Sequence, residues 1–142
     1  MKQDDVQNDL EEIASIAFNA VSFYSWNELG QTPVQFWDEL SPERKDEITE
    51  IVAKIGTGEI STVAWLHEHW IQGRRADGWK YAAYYDDMTK HHPNMVMAAW
   101  LTPDERTKYL IFISTVNAGL RHCGLYMNMS SKDETTEDQQ TS

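Results

Sequence analysis

Cations interleaved with large flat rings make the most chemically loaded stretch of this sequence. It reads Arg74-Arg75-Ala76-Asp77-Gly78-Trp79-Lys80-Tyr81, and Lys90-His91-His92-Pro93 follows shortly after. An aromatic face can stack on a nucleobase, and guanidinium, ammonium and imidazole groups are the donors that phosphates need. A nucleotide-like ligand requires both kinds of group close together. Composition alone favours a plainer arrangement, in which Trp79 and Tyr81 anchor a small β-hairpin on helices while the cations face water.

Other chemistries find less support. His67-Glu68-His69 puts two imidazoles two residues apart, about 200° around a helix, where they cannot share a metal ion. A zinc-protease helix needs its two histidines four residues apart with Glu between them. His91 and His92 are adjacent, and no acid or thiol stands at a ligand spacing from them. Cys123 follows His122 directly, which does not make a nucleophile–base dyad. There is no Gly-x-Ser-x-Gly elbow and no glycine-rich phosphate loop. Acid pairs such as Asp86-Asp87 arise readily in an acidic chain. The expectation is a non-catalytic protein without cofactor or metal.

The elements that would position these residues are mainly helical. Residues 6–25 carry Val6, Leu10, Ile13, Ala14, Ala17, Phe18 and Val21 at helical spacing. Thr32-Pro33-Val34-Gln35 has the form of a capping box with proline at the first helical position, opening a short helix to about Leu40. Ser41-Pro42 opens another, with Ile48, Ile51, Val52 and Ile55 on one face and Gly56 and Gly58 ending it. A helix over residues 62–72 presents Val63, Leu66 and Trp70. Residues 79–85 look extended, and residues 94–99 are a second strand, so the two make at most a hairpin packed on helices. Thr102-Pro103-Asp104-Glu105 starts a long helix to about His122. Residues 1–31 are thus a helix and connector, residues 32–122 a compact α+β domain, and residues 123–142 an acidic tail. From Ser130 on, the tail holds only Ser, Thr, Asp, Glu, Gln and Lys and is expected to be disordered.

The 142 residues suit a single core, and the lone cysteine allows no internal disulfide. No basic-then-apolar leader and no apolar run long enough to span a bilayer is apparent, so a cytoplasmic protein without membrane contact is expected. A net charge of −11 argues against direct nucleic-acid binding. Residues 71–122 nevertheless hold seven Arg and Lys against five Asp and Glu, a locally positive centre where a small anion would be held. Trp100, Tyr84 and Tyr85 are candidates for an aromatic interface, which leaves room for a homo-oligomer.

Five elements in order resemble the RyR domain, the repeat named after ryanodine receptors. Over residues 36–116 they are Phe36-Trp37-Asp38-Glu39-Leu40; the Arg44 to Ile55 helix with His67-Glu68-His69-Trp70; Arg74 with Asp77-Gly78-Trp79-Lys80-Tyr81; Lys90-His91-His92-Pro93; and Leu101-Thr102 with Arg106. The chain departs from the pattern at Ala82, where the family has Gly, at Met97-Ala98 in place of Pro-Tyr, and at Trp100, usually acidic or polar. The resemblance implies a helical sensor module that binds a nucleotide-derived second messenger, of the cyclic ADP-ribose type or a cyclic oligonucleotide. A copy without an effector domain would then be a phage-type sponge that lowers the messenger's concentration. The implied pocket uses Trp79 and Tyr81 for stacking, Trp37 and Trp70 as walls, and Arg74, Lys90 and His92 for phosphates. The alternative is an acidic protein-interaction module or DNA-mimic inhibitor of a host protein.

Overall fold

A computed structural model describes residues 3–125 of the chain; the acidic stretch from Ser130 on lies outside the described residues. Its elements are α1 (Gln3–Phe23), continued by a wide turn at Tyr24–Glu28, a single tight turn at Trp37–Glu39, α2 (Pro42–Thr57) and α3 (Val63–Ala76). Strands β1 (Lys80–Tyr81) and β2 (His91–His92), a tight turn at Ala98–Trp100 and α4 (Pro103–His122) follow. The fold is mainly helical with a small two-stranded sheet. Among the described residues no helix is long and apolar enough to cross a membrane.

Side-chain caps fix most helix starts. Ser41 Oγ accepts the Arg44 N–H at 3.2 Å with Pro42 at the first helical position, and Thr62 Oγ1 accepts the Trp65 N–H at 3.1 Å. Thr102 Oγ1 does the same for Glu105 at 3.2 Å. The Thr32-Pro33 start is corrected: the helical turn begins only at Trp37, where Glu39 Oε1 accepts the Phe36 N–H at 2.9 Å. Three residues then form a turn rather than a helix.

The chain packs as two compact units: the residues up to Ile60 with those from Ile111 on, and Ser61–Leu110. In the first, Ile13, Ala14 and Ala17 of α1, Ile48, Val52 and Ile55 of α2, and Val116 and Leu120 of α4 are buried. The Cβ-less Gly119 lets α4 approach Ile13, while Leu120 lies against Gly56 at ordinary contact distance. Residues 123–125, grouped from sequence with the acidic stretch, close α4. Gly124 takes a positive φ, its N–H bonds Arg121 O, and Leu125, itself buried, bonds back to Leu120 O at 2.8 Å. This is a Schellman closure of α4.

The second unit centres on buried Ile71, Trp79 and Met95, with Trp70 against them. The expected hairpin is replaced by a parallel pair with register Lys80↔His91 and Tyr81↔His92. Between them the chain doubles back, and Asp86 pairs antiparallel with His91 through both backbone bonds at 2.9 Å. The second strand is therefore His91–His92, and residues 94–99 lead instead into the Ala98–Trp100 turn.

Candidate functional site

Helical spacing places His67, Trp70 and Arg74, at i, i+3 and i+7, on one face of α3. The end of α3 brings Trp79 back to the same face. Gly78 adopts φ 88°, Gly78 N–H bonds Arg75 O, and Trp79 N–H bonds Arg74 O at 2.9 Å. A side chain at position 78 would strain this reversal, which turns the Trp79 ring onto Arg74. The Arg74 guanidinium carbon then lies 5.1 Å from the Trp79 ring centre and 5.5 Å from that of Trp70. Among the described residues, no carboxylate forms an ion pair with Arg74. Its charge is held by two indoles.

β2 supplies the third component. The His92 ring lies 5.0 Å from Trp70, 6.2 Å from Trp79 and 5.3 Å from Tyr85, and its Nδ1 accepts the Asn94 N–H at 3.1 Å. The neutral ring therefore keeps its proton on Nε2, as a donor. Partial burial, then the neighbouring Arg74 charge, and also Lys108, hold the His92 pKa below its usual value against the opposing pull of Glu105. Tyr85 is 60% exposed and sits 5.9 Å from Trp79, so it presents a ring to solvent beside this cluster.

Behind them lies a buried support. His67 is 1% exposed, stacks on Trp70 at 5.6 Å, and uses both ring nitrogens: Nε2 meets Val96 O at 2.6 Å and Nδ1 meets the Tyr109 hydroxyl at 2.8 Å. Since Val96 O only accepts, Nε2 carries the proton and Nδ1 accepts from Tyr109. Burial, reinforced by Glu105, pushes the Tyr109 hydroxyl pKa well up, so it stays a donor.

Four of the residues named from sequence thus come together: Trp70, Arg74, Trp79 and His92. Trp79 does so in a different capacity from the stacking surface expected, because it is 8% exposed with Arg74, His92 and Tyr85 around its ring. Tyr81 stands exposed on β1. Lys90 adopts a left-handed φ of 59° and donates from Nζ to Asp77 O at 2.6 Å, which ties the loop to the end of α3. Trp37 belongs to the first unit. There it meets Phe18 edge-on at 6.3 Å, lies under the Lys45 ammonium at 5.9 Å, and donates its backbone N–H to Asn19 Oδ1 at 2.7 Å. Tyr85 and the His67–Tyr109 pair were not among the expected ligand residues. The Tyr84-Tyr85 doublet did signal Tyr85, whereas nothing local signals a bond from His67 to a residue 42 positions on.

Among the described residues no three His, Cys, Asp or Glu side chains are grouped to hold a metal ion. No family model, curated protein or solved structure matches the chain.

Proposed function

We propose that this chain is a non-catalytic binding protein for an anionic, base-bearing small molecule, received where Arg74, His92 and Tyr85 meet. The carrying observation is the Arg74 guanidinium, which lies over two indoles and, among the described residues, in no carboxylate ion pair. Aromatic rings orient a guanidinium without neutralising it, so its N–H donors keep their value for a phosphate. His92 adds an Nε2–H donor, and exposed Tyr85 adds a face for a base. The RyR-domain resemblance of residues 36–116 supports a nucleotide-derived second messenger, of the cyclic ADP-ribose type or a cyclic oligonucleotide. It also supports sequestration in the cytoplasm of a phage-infected host as the biological role. Exposed Tyr81, beside His92 in the strand register, offers a further ring for a base, and Lys90 holds the loop through Asp77 O.

Thermal denaturation with cyclic ADP-ribose isomers and cyclic dinucleotides tests this reading. A ligand at a hundred times its Kd stabilises a protein by about 2.7 kcal/mol, an easily read shift. Mass spectrometry after denaturation should recover the molecule unchanged. Arg74→Lys, which keeps the charge and loses the fork of donors, should weaken binding at least roughly tenfold. Recovery of an altered molecule would make the protein an enzyme. A panel with no shift, or one undiminished in Arg74→Lys and Tyr85→Ala, would remove the assignment.

A further inference from the structure

One face of α1 divides into an acidic half and an apolar half. Asp5, Glu12, Ile16 and Phe23 fall within about 40° of one another around the helix at 100° per residue. Asp5 and Glu12 are exposed, Ile16 is 54% and Phe23 52% exposed, and Trp26 in the following turn is 49% exposed. Phe23 and Trp26 meet edge-on at 5.9 Å, which forms one aromatic knob. The acidic end is felt nearby: besides burial, the Asp9 and Glu12 charges push the Cys123 thiol pKa up. Helix α1 carries no Lys or Arg at all.

We infer that this α1 face is a docking surface for a helical segment of another protein that is apolar at one end and basic at the other. Its stripe runs about 27 Å from Asp5 to Phe23, the length of about 18 helical residues. Bulky apolar side chains on the partner cover Ile16 and the Phe23–Trp26 knob, and Lys or Arg side chains meet Asp5 and Glu12. Charge disfavours a second copy of this chain as the natural occupant. Parallel α1 helices set acids against acids, antiparallel ones set acids against apolar side chains, and both chains carry −11. The surface lies in the first unit and makes no use of Arg74, His92 or Tyr85, so it stands or falls apart from the ligand reading.

Fluorescence anisotropy of a labelled synthetic helix of about 18 residues, Leu-rich in one half and Lys-rich in the other, tests this on the full chain. A scrambled peptide of equal composition serves as control. The ordered peptide should bind, lose affinity at least roughly tenfold from about 0.05 to about 0.3 M salt, and lose a similar factor in Glu12→Lys. Phe23→Ser with Trp26→Ser should also weaken it, with an unchanged circular dichroism spectrum because both side chains are half exposed. No binding, equal binding of the scrambled peptide, or indifference to these variants would overturn the docking surface. So would sedimentation showing a dimer that Phe23→Ser abolishes, since the occupant would then be a second copy.

Discussion

His67 shows how a single buried side chain sets the position of others. With 1% exposure it satisfies the Val96 carbonyl and the Tyr109 hydroxyl while its flat face supports Trp70. Replacing it by Phe keeps the shape and orphans both groups. At about 1–3 kcal/mol for each buried polar group left unpaired, His67→Phe should lose roughly 2–6 kcal/mol, read from the urea midpoint. A loss under about 0.5 kcal/mol would mean water replaces both bonds. His92 makes a different, pH-dependent contribution. Its pKa is lowered in the folded chain, so the unfolded chain binds the proton more readily. Its stabilising contribution is present above the ordinary value of 6.5 and disappears as pH falls through the lowered one. Melting temperatures measured from about pH 7.5 down to about 5 should therefore fall more steeply in the native chain than in His92→Gln; parallel curves would refute this. The cation and ring types of the site were legible as a local run. Their roles were not, because whether Trp79 faces solvent or lies under Arg74 depends on the Gly78 reversal, a backbone event that ring counting does not register.

Helices were legible in proportion to how local their signals are. Ser41-Pro42 and Thr102-Pro103 start α2 and α4 as their capping chemistry predicts, because a hydroxyl and its target N–H are three residues apart. Thr32-Pro33 carries the same letters but not the same outcome. There Asn19 Oδ1 takes the Trp37 N–H and Ser22 Oγ donates to Gln35 O at 2.6 Å, so contacts with α1 hold the segment. Strand direction was illegible for a similar reason: Asp86 returns to bond His91 from one side while Lys80 bonds Lys90 O from the other, which makes the β1–β2 pair parallel. Helix–helix approach within the first unit gives a sharp prediction. A Cβ on Gly119 would stand 2.8 Å from Ile13 Cγ1 and 3.1 Å from its Cγ2. Gly119→Ala should therefore cost about 1–3 kcal/mol, despite the better helix propensity of alanine. Ile13→Ala removes the colliding atoms and leaves a cavity, so the double variant should be more stable than the sum of the single losses. Additive losses in a double-mutant cycle would show that α1 and α4 do not press on each other there.

At the scale of the whole chain, 23 acidic residues face 12 basic ones, and the described ion pairs do little to offset the excess. Arg44–Glu47, Lys54–Glu50 and Lys108–Glu105 each join residues one helical turn apart, pairs of the kind worth about 0.3–0.5 kcal/mol. They stiffen single helices and do not tie one element to another. The excess falls heavily on α1, where Asp4, Asp5, Asp9, Glu11 and Glu12 have no Lys or Arg on the same helix. Net charge was readable from composition, but the division into two units was not. The boundary falls inside α4, whose Tyr109 bonds His67 while its Leu120 packs by Gly56, and an unbroken helical pattern gives no sign of that change of partners. Self-repulsion on this scale opposes compactness, and salt screens it by shortening the Debye length from about 10 Å at 0.1 M towards 3 Å at 1 M. Raising sodium chloride at pH 7 should then increase the melting temperature by about 2–5 °C, the counterpart of about 1 kcal/mol for a chain of this size. Near pH 4.7, where the net charge vanishes, the same salt should leave it unchanged or lower. Amide exchange at pH 7 should slow most in α1, the helix with acids and no compensating cation. A melting temperature that falls with salt at pH 7 would mean that local attraction outweighs the global excess, and the acidic face of α1 would then be held by contacts other than those described.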